Sequence, residues 1–144
     1  MNESISRPRG PCATLPRMSR LLWICLGGAV GTAGRYLLGD WLLRVAGPAF
    51  PWGTLAVNLL GSFLLGFIMQ VALSTDWISP TLRLTLATGV MGGFTTYSSF
   101  NYETLRLLQS GSWLLASANL FGTVAGCLFA GVLGLGLGRA VAGA

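Results

Sequence analysis

The sequence predicts an all-α membrane protein of four transmembrane helices, and three observations point that way. Hydrophobic residues make up 53% of the chain and charged residues only 9%, against about 25% charged in an ordinary soluble domain. The mean hydropathy is +0.68. The apolar residues are also gathered into runs of the length, about 20 residues, that a helix needs to cross a bilayer. Four such runs joined by short loops put both chain ends on one side, as in a multi-pass protein of the cell inner (plasma) membrane.

The same composition narrows the function. The sequence has no histidine, which removes the commonest general base and metal ligand. Cys12, Cys25 and Cys127 are far apart and form no CxxC pair, so neither a disulfide framework nor a zinc site follows; Cys25 and Cys127 read as small buried thiols. The net charge is +5, every cation being an arginine, but no stacking aromatics alternate with those arginines, which argues against nucleic-acid binding. No catalytic constellation of nucleophile, base and metal is present, so the chain does not read as an enzyme.

Residues 1–20 are polar, with Pro8, Pro11 and Pro16 and Arg7, Arg9, Arg17 and Arg20, and read as a disordered tail before a transmembrane domain at 21–141. Met18-Ser19-Arg20 abuts the first apolar run, as an internal translation start would. A cleaved signal fits less well, because the apolar pattern continues past Tyr36 to Trp41-Leu42-Leu43. The first spanning helix covers residues 21–45. Its Gly27-Gly28-Ala-Val-Gly31 stripe allows a neighbouring helix to come close, and its Arg35 is a charge that must face protein or water. Gly47-Pro48 and Pro51 make the turn.

The second helix covers residues 53–73. Thr54, Asn58, Ser62 and Gly66 recur every four residues and share one face. A polar stripe on an apolar helix is either glue between helices or the wall of a pathway; Thr54 and Ser62 suit both, and Asn58 favours the pathway. A loop at 74–80 carries Trp77, an interface anchor by residue type. The third apolar region covers residues 82–108 and the fourth helix runs from Trp113 to about residue 137. The fourth has a packing stripe of Gly122, Gly126, Ala130, Gly134 and Gly138, beside a partly polar one of Asn119, Thr123, Cys127 and Gly131.

The third region is the anomaly. Gly89-Val-Met-Gly-Gly-Phe-Thr-Thr-Tyr-Ser-Ser-Phe-Asn-Tyr-Glu103 mixes glycines, hydroxyls, aromatics and a carboxylate inside an apolar run. Gly92-Gly93 weakens a helix, and the Thr and Ser that follow compete for nearby backbone. Interrupted backbone at membrane depth survives only where it is buried in protein or lines a watery cavity. The third helix is therefore expected to break near its middle, at the working site.

Charge barely orients the chain. Arg20, Arg83 and Arg139 fall on the side of the termini and Arg44 and Arg106 on the other, a near balance under the positive-inside rule unless Arg7, Arg9 and Arg17 count too. Insertion in both directions, and an antiparallel (dual-topology) homodimer, follow naturally, because four helices are few to enclose a pathway.

Taken together, Gly27-Gly28-Ala-Val-Gly31 through Arg35-Tyr36, Gly53-Thr54-Leu-Ala-Val-Asn58-Leu-Leu-Gly61-Ser62-Phe63, and Gly92-Gly93-Phe-Thr95-Thr96-Tyr97-Ser98-Ser99-Phe100 with Glu103 resemble the Fluc (CrcB) family of fluoride channels, in the family's order and at comparable spacing. The resemblance implies a passive fluoride channel that limits fluoride toxicity, built as an antiparallel homodimer with two pores and a broken third helix. It implies a structural sodium ion at the dimer centre, held by backbone carbonyls at Gly92 and Thr95. It maps Asn58 onto the pore asparagine, Tyr97 and Phe100 onto paired pore phenylalanines, Thr123 more loosely onto a polar track, and Arg35 and Glu103 onto positions beside the pore.

A small, strongly hydrated anion must find replacement donors on leaving water. Asn58 offers amide N–H, and Thr96, Ser98, Ser99 and Thr123 offer hydroxyl hydrogens. Aromatic rings have positive edges that Tyr97 and Phe100 can turn to an anion, and an arginine at a mouth raises local anion concentration. Tyr97 departs from the family's usual phenylalanine. Packing alone also accounts for Phe100, Glu103 and Thr123. The rival reading is a small proton-coupled multidrug exporter, which calls for a carboxylate in the first helix, where only Asp40 is available. A helper subunit without transport activity is the third.

Overall fold

The computed structural model describes residues 17–143, and every regular element in it is helical. Helix α1 spans Arg17–Ala46 and α2 spans Trp52–Ser74. A short α3 (Pro80–Leu84) runs directly into a π-helical stretch, Thr85–Met91, and then a single turn, α4 (Gly92–Phe94). Helix α5 (Tyr97–Gln109) and the long α6 (Trp113–Ala142) complete the chain. Helices α1, α2 and α6 have the length and apolar character to cross a membrane. The N-terminal tail expected over residues 1–20 lies mostly outside the described residues; its last part, Arg17 to Arg20, forms the first turn of α1.

Element ends follow local chemistry. Gly47 adopts φ +77°, a left-handed conformation suited to glycine, and its N–H bonds the Leu43 carbonyl at 3.0 Å, closing α1. The Thr75 N–H and Oγ1 both donate to the Val71 carbonyl, at 3.0 and 2.8 Å, and end α2. Ser79 caps α3, its Oγ accepting from the Leu82 N–H at 3.2 Å, with Pro80 as the first helical residue, the two residue types that favour helix starts. Gly111, at φ +76°, turns the chain into α6. That helix runs to Ala142, beyond the expected end near residue 137, because glycines at 134, 136 and 138 are tolerated in membrane helices.

Small residues bring the backbones together. The largest contact is between α2 and α6: a Cβ on Gly66 would sit 2.6 Å from the Gly131 carbonyl oxygen, one on Gly138 2.7 Å from Gln70 Cβ, and one on Gly134 would overlap the Phe63 carbonyl. Gly126 abuts Leu59 on the same side, whereas Gly122 has nothing within 4 Å. On the other flank α1 packs against the π-helical stretch and α4. A Cβ on Gly27 would lie 2.8 Å from the Thr85 carbonyl, one on Gly89 2.7 Å from that of Ile24, and one on Gly31 would overlap that of Val90. Lipid supplies no hydrophobic drive between helices, so close van der Waals contact takes that role.

The burial pattern is inverted relative to a soluble domain. Large apolar side chains such as Leu22, Trp23, Phe121, Leu128 and Phe129 are exposed, while Thr54, Asn58, Thr96, Thr104, Asn119 and Thr123 are buried. Cys25, expected inside, is exposed on α1, and Cys127 is half-buried.

Gly31→Ala and Gly134→Ala should each lower stability by about 1–3 kcal/mol, since the new methyl meets backbone that cannot move aside. Gly136→Ala, with nothing within 4 Å, should be neutral or mildly stabilising through helix propensity. Thermal unfolding of the three variants in detergent checks the contrast.

Candidate functional site

Helical backbone stops at Phe94 and resumes at Tyr97. Between them Thr95 (φ −85°, ψ 158°) and Thr96 (φ −151°, ψ 113°) are extended. Thr95 finishes the preceding turn, its N–H and Oγ1 both donating to the Met91 carbonyl at 2.9 Å. Thr96 is held from another helix. Its N–H donates to Asn58 Oδ1 at 2.8 Å, and Asn58 Nδ2 donates to the Thr96 carbonyl at 3.1 Å, both buried. Asn58 thus supplies the donor and the acceptor that the extended backbone loses by leaving the helix. Gly61, one turn further along α2, leaves room for Thr95, whose methyl a Cβ there would overlap.

The Thr96 hydroxyl caps α5. It accepts from the Ser99 N–H at 3.2 Å, donates to Ser99 Oγ at 3.1 Å and lies 3.4 Å from Ser98 Oγ. In a continuous helix the Thr96 amide would bond the Gly92 carbonyl four residues back; here it is directed to Asn58. Gly92 itself is exposed, with open space where a Cβ would stand.

Two cavities meet at this interruption. One, of ≈ 280 Å³, is lined by Asn58, Ser62, Thr95, Thr96, Tyr97, Phe100, Thr123 and Cys127 among others. The Tyr97 and Phe100 rings lie 5.7 Å apart at 55°, so their edges and faces are offset rather than stacked. Phe100 is 5% exposed and Tyr97 78%. The other cavity, of ≈ 450 Å³, is lined by residues including Arg35, Tyr36, Trp52, Thr54, Ser99 and Glu103. Thr96 belongs to both. In the larger cavity Thr54 Oγ1 donates to Glu103 Oε1 at 2.8 Å, while Oε2 is buried without a partner.

The residues nominated from sequence therefore divide. Asn58, Tyr97, Phe100 and Thr123 line one cavity, Arg35, Ser99 and Glu103 the other, and Thr96 joins them. Thr95 faces the first, Gly92 faces neither, and Ser98 is exposed and reaches only Thr96. Two buried polar residues escaped nomination. Asn119 Nδ2 donates to Thr104 Oγ1 at 2.8 Å, Thr104 Oγ1 donates to the Phe100 carbonyl at 2.8 Å, and Thr123 Oγ1 donates to Asn119 Oδ1 at 3.4 Å. The spacing was a signal, since Thr104 lies four residues after Phe100 and Asn119 four before Thr123.

Chemically, the smaller cavity presents an amide hydrogen of Asn58 beyond the one committed to Thr96, two ring systems and the hydroxyl-bearing residues Ser62, Thr95, Thr96 and Thr123. The larger is lined by one arginine, Arg35, and by a carboxylate that accepts from the Thr54 hydroxyl. Asp40, the first-helix carboxylate, is paired with Arg44 at 2.7 Å, which gives no support to a proton-exchanging exporter.

Residues 22–135 match the family model described as CrcB-like protein, Camphor Resistance (CrcB). Among similar proteins, one named fluoride-specific ion channel FluC from Sorangium cellulosum (strain So ce56) is 57% identical over 122 residues, covering 85% of this chain and 96% of that protein. A protein of the same name from Anaeromyxobacter sp. (strain K) is 56% identical, covering 88% of this chain and all of its own. Another, from Geobacter sulfurreducens (strain ATCC 51573 / DSM 12127 / PCA), is 52% identical, with 77% and 90% covered.

Replacing Asn58 by leucine keeps the volume but strands a buried N–H and C=O of Thr96, at about 1–3 kcal/mol each. Asn58→Leu should therefore unfold at a markedly lower temperature in detergent than Ser62→Ala, which removes a hydroxyl from the same cavity and frees no backbone group. Equal stability of the two would remove the clamp from the account of the break.

Proposed function

This chain belongs to the CrcB family, and from that premise we propose that it is a fluoride-specific ion channel, letting fluoride leave the cell passively across the plasma membrane. The observation that carries the reading is a pair of cavities that share Thr96 and set the polar groups of Asn58, Thr123, Arg35 and Glu103 into otherwise mainly apolar walls. Fluoride entering the larger cavity meets the Arg35 guanidinium, which raises its local concentration. Water lost on moving inward is replaced by the free Asn58 amide hydrogen, the Ser99 hydroxyl, the Thr123 hydroxyl once it turns from Asn119, and the positive ring edges of Tyr97 and Phe100. Each contact is weak enough to release the ion, which conduction requires.

Residues 80–109 act in this reading as the third membrane crossing, broken at 95 and 96, so that the chain crosses four times. Two chains pair antiparallel, each with its own pore. The residues at the break suit a sodium ion between the two protomers. Asn58 diverts the Thr96 amide from the Gly92 carbonyl, leaving that oxygen for another partner, and the space beside Gly92 is open. Carbonyl oxygens suit a hard cation. Gly92 and Thr95 would supply two of them, the second protomer would supply the matching pair, and the ion's charge would fasten the two breaks together.

Purified protein in liposomes should release fluoride rapidly and chloride far more slowly; equal or absent release defeats the channel reading. Tyr97→Phe should still conduct, because the Tyr97 ring packs on Phe100 while its hydroxyl has no bonded partner. Complete loss of flux would show that the hydroxyl is required. Reporter tags on the C-terminus should label both sides of the membrane, whereas one-sided labelling rules out antiparallel pairing.

A further inference from the structure

The buried chain of hydrogen bonds between α5 and α6 has a direction, and the direction is set at one end. The Phe100 carbonyl has no hydrogen to give, so the 2.8 Å contact with Thr104 Oγ1 must use the Thr104 hydroxyl hydrogen. Having committed its only hydrogen, Thr104 can only accept from Asn119, and so Nδ2 of the Asn119 amide must face Thr104, at 2.8 Å. That orientation turns Oδ1 towards Thr123, and two oxygens 3.4 Å apart then require Thr123 to donate. Asn119 is 0% exposed and Thr104 is buried; neither lines the cavity that Thr123 and the Phe100 ring share.

We propose that Asn119 is a positioning residue that sets which way the Thr123 hydroxyl points, and that Thr104 sets Asn119. With its hydrogen turned to Oδ1, Thr123 shows the cavity only oxygen lone pairs. Such a surface repels an anion until the hydroxyl rotates. The 3.4 Å contact is long for an O–H···O bond, so an approaching anion can take the hydrogen and return it on leaving. The α5–α6 chain thereby tempers the cavity's hold on the ion. The inference rests on the fluoride-channel reading, but Asn119 and Thr104 themselves lie outside the cavity.

Thr104→Val tests it. Valine keeps the shape and removes the acceptor that fixes the amide. Asn119 then turns its Nδ2 to Thr123, whose hydrogen is released into the cavity. Fluoride flux from liposomes, measured against fluoride concentration, should half-saturate at about three- to tenfold lower fluoride, the factor that one freed hydrogen bond of about 0.7–1.4 kcal/mol gives. Thr104→Ser, which keeps the hydroxyl, should behave as wild type. Asn119→Leu frees the same hydrogen by a different route and should shift half-saturation in the same direction, so a poorly assembled Thr104→Val does not end the test. In a Thr123→Val background both shifts should vanish, whereas a general packing defect would persist there. A conducting wild type whose half-saturation is unmoved by Thr104→Val and Asn119→Leu, or moved equally with and without the Thr123 hydroxyl, overturns this inference alone. A wild type that releases no fluoride defeats the channel reading and this inference with it.

Discussion

The two-way bond between the Asn58 amide and the Thr96 backbone is the interaction on which the rest depends. A chain that leaves helical conformation at membrane depth exposes a donor and an acceptor that lipid cannot satisfy. One asparagine on a neighbouring helix satisfies both. With that bond in place α4 can stop at Phe94, α5 can start afresh with Thr96 as its cap, and the Tyr97 and Phe100 rings are delivered to one cavity wall. Without it, the cheaper arrangement is a continuous helix. Asn58 is therefore a structural residue first, with one amide hydrogen left uncommitted.

Close packing elsewhere keeps this polar interior small. Glycines at 66, 131, 134 and 138 seat α6 against α2, and those at 27, 31 and 89 seat α1 against the π-helical stretch. Backbones at such distances leave no room for large side chains between helices, and the bulky apolar residues face outward instead. The interior holds few large side chains: Val57, Ala116, Met91 and Phe100 share it with hydrogen-bonded threonines and the two amides Asn58 and Asn119. The bundle is held by shape and by hydrogen bonds rather than by a hydrophobic core.

Much of this was legible in the sequence because it is periodic. Apolar runs marked α1, α2 and α6, and four-residue spacings marked the glycine stripe on α6 that meets α2. The gathering of Asn58, Tyr97, Phe100 and Thr123 at one cavity was read from the resemblance, not from spacing. Less could be read where three-dimensional pairing decides. Nothing in the sequence separates Ser99, which lines the larger cavity, from Ser98, which is exposed. Cys25 looked like an interior residue because its helix is apolar throughout, and an all-apolar helix does not announce which face is inward. Asn119 stood in the partly polar stripe of the fourth helix, but Thr104 looked like an ordinary helix residue until its bond to Asn119 placed it. The π-helical geometry of Thr85–Met91 has no signature in its residues that we can name.

That π-helical stretch has a consequence for how the segment tolerates change in length. A π-helix carries an extra residue relative to an α-helix of equal extent. The wider π turns already absorb that residue, so removing it would let the backbone relax to ordinary α geometry with the flanks near their present rotation, whereas adding another would rotate one side by about 100° relative to the other. Gly89 and Gly93 would no longer both face α1, and Thr96 would leave Asn58. The loop at 75–79 can absorb such changes; the stretch beside α1 cannot. Insertions among proteins built like this one should accordingly collect in the loops and the termini rather than between Thr85 and Thr96.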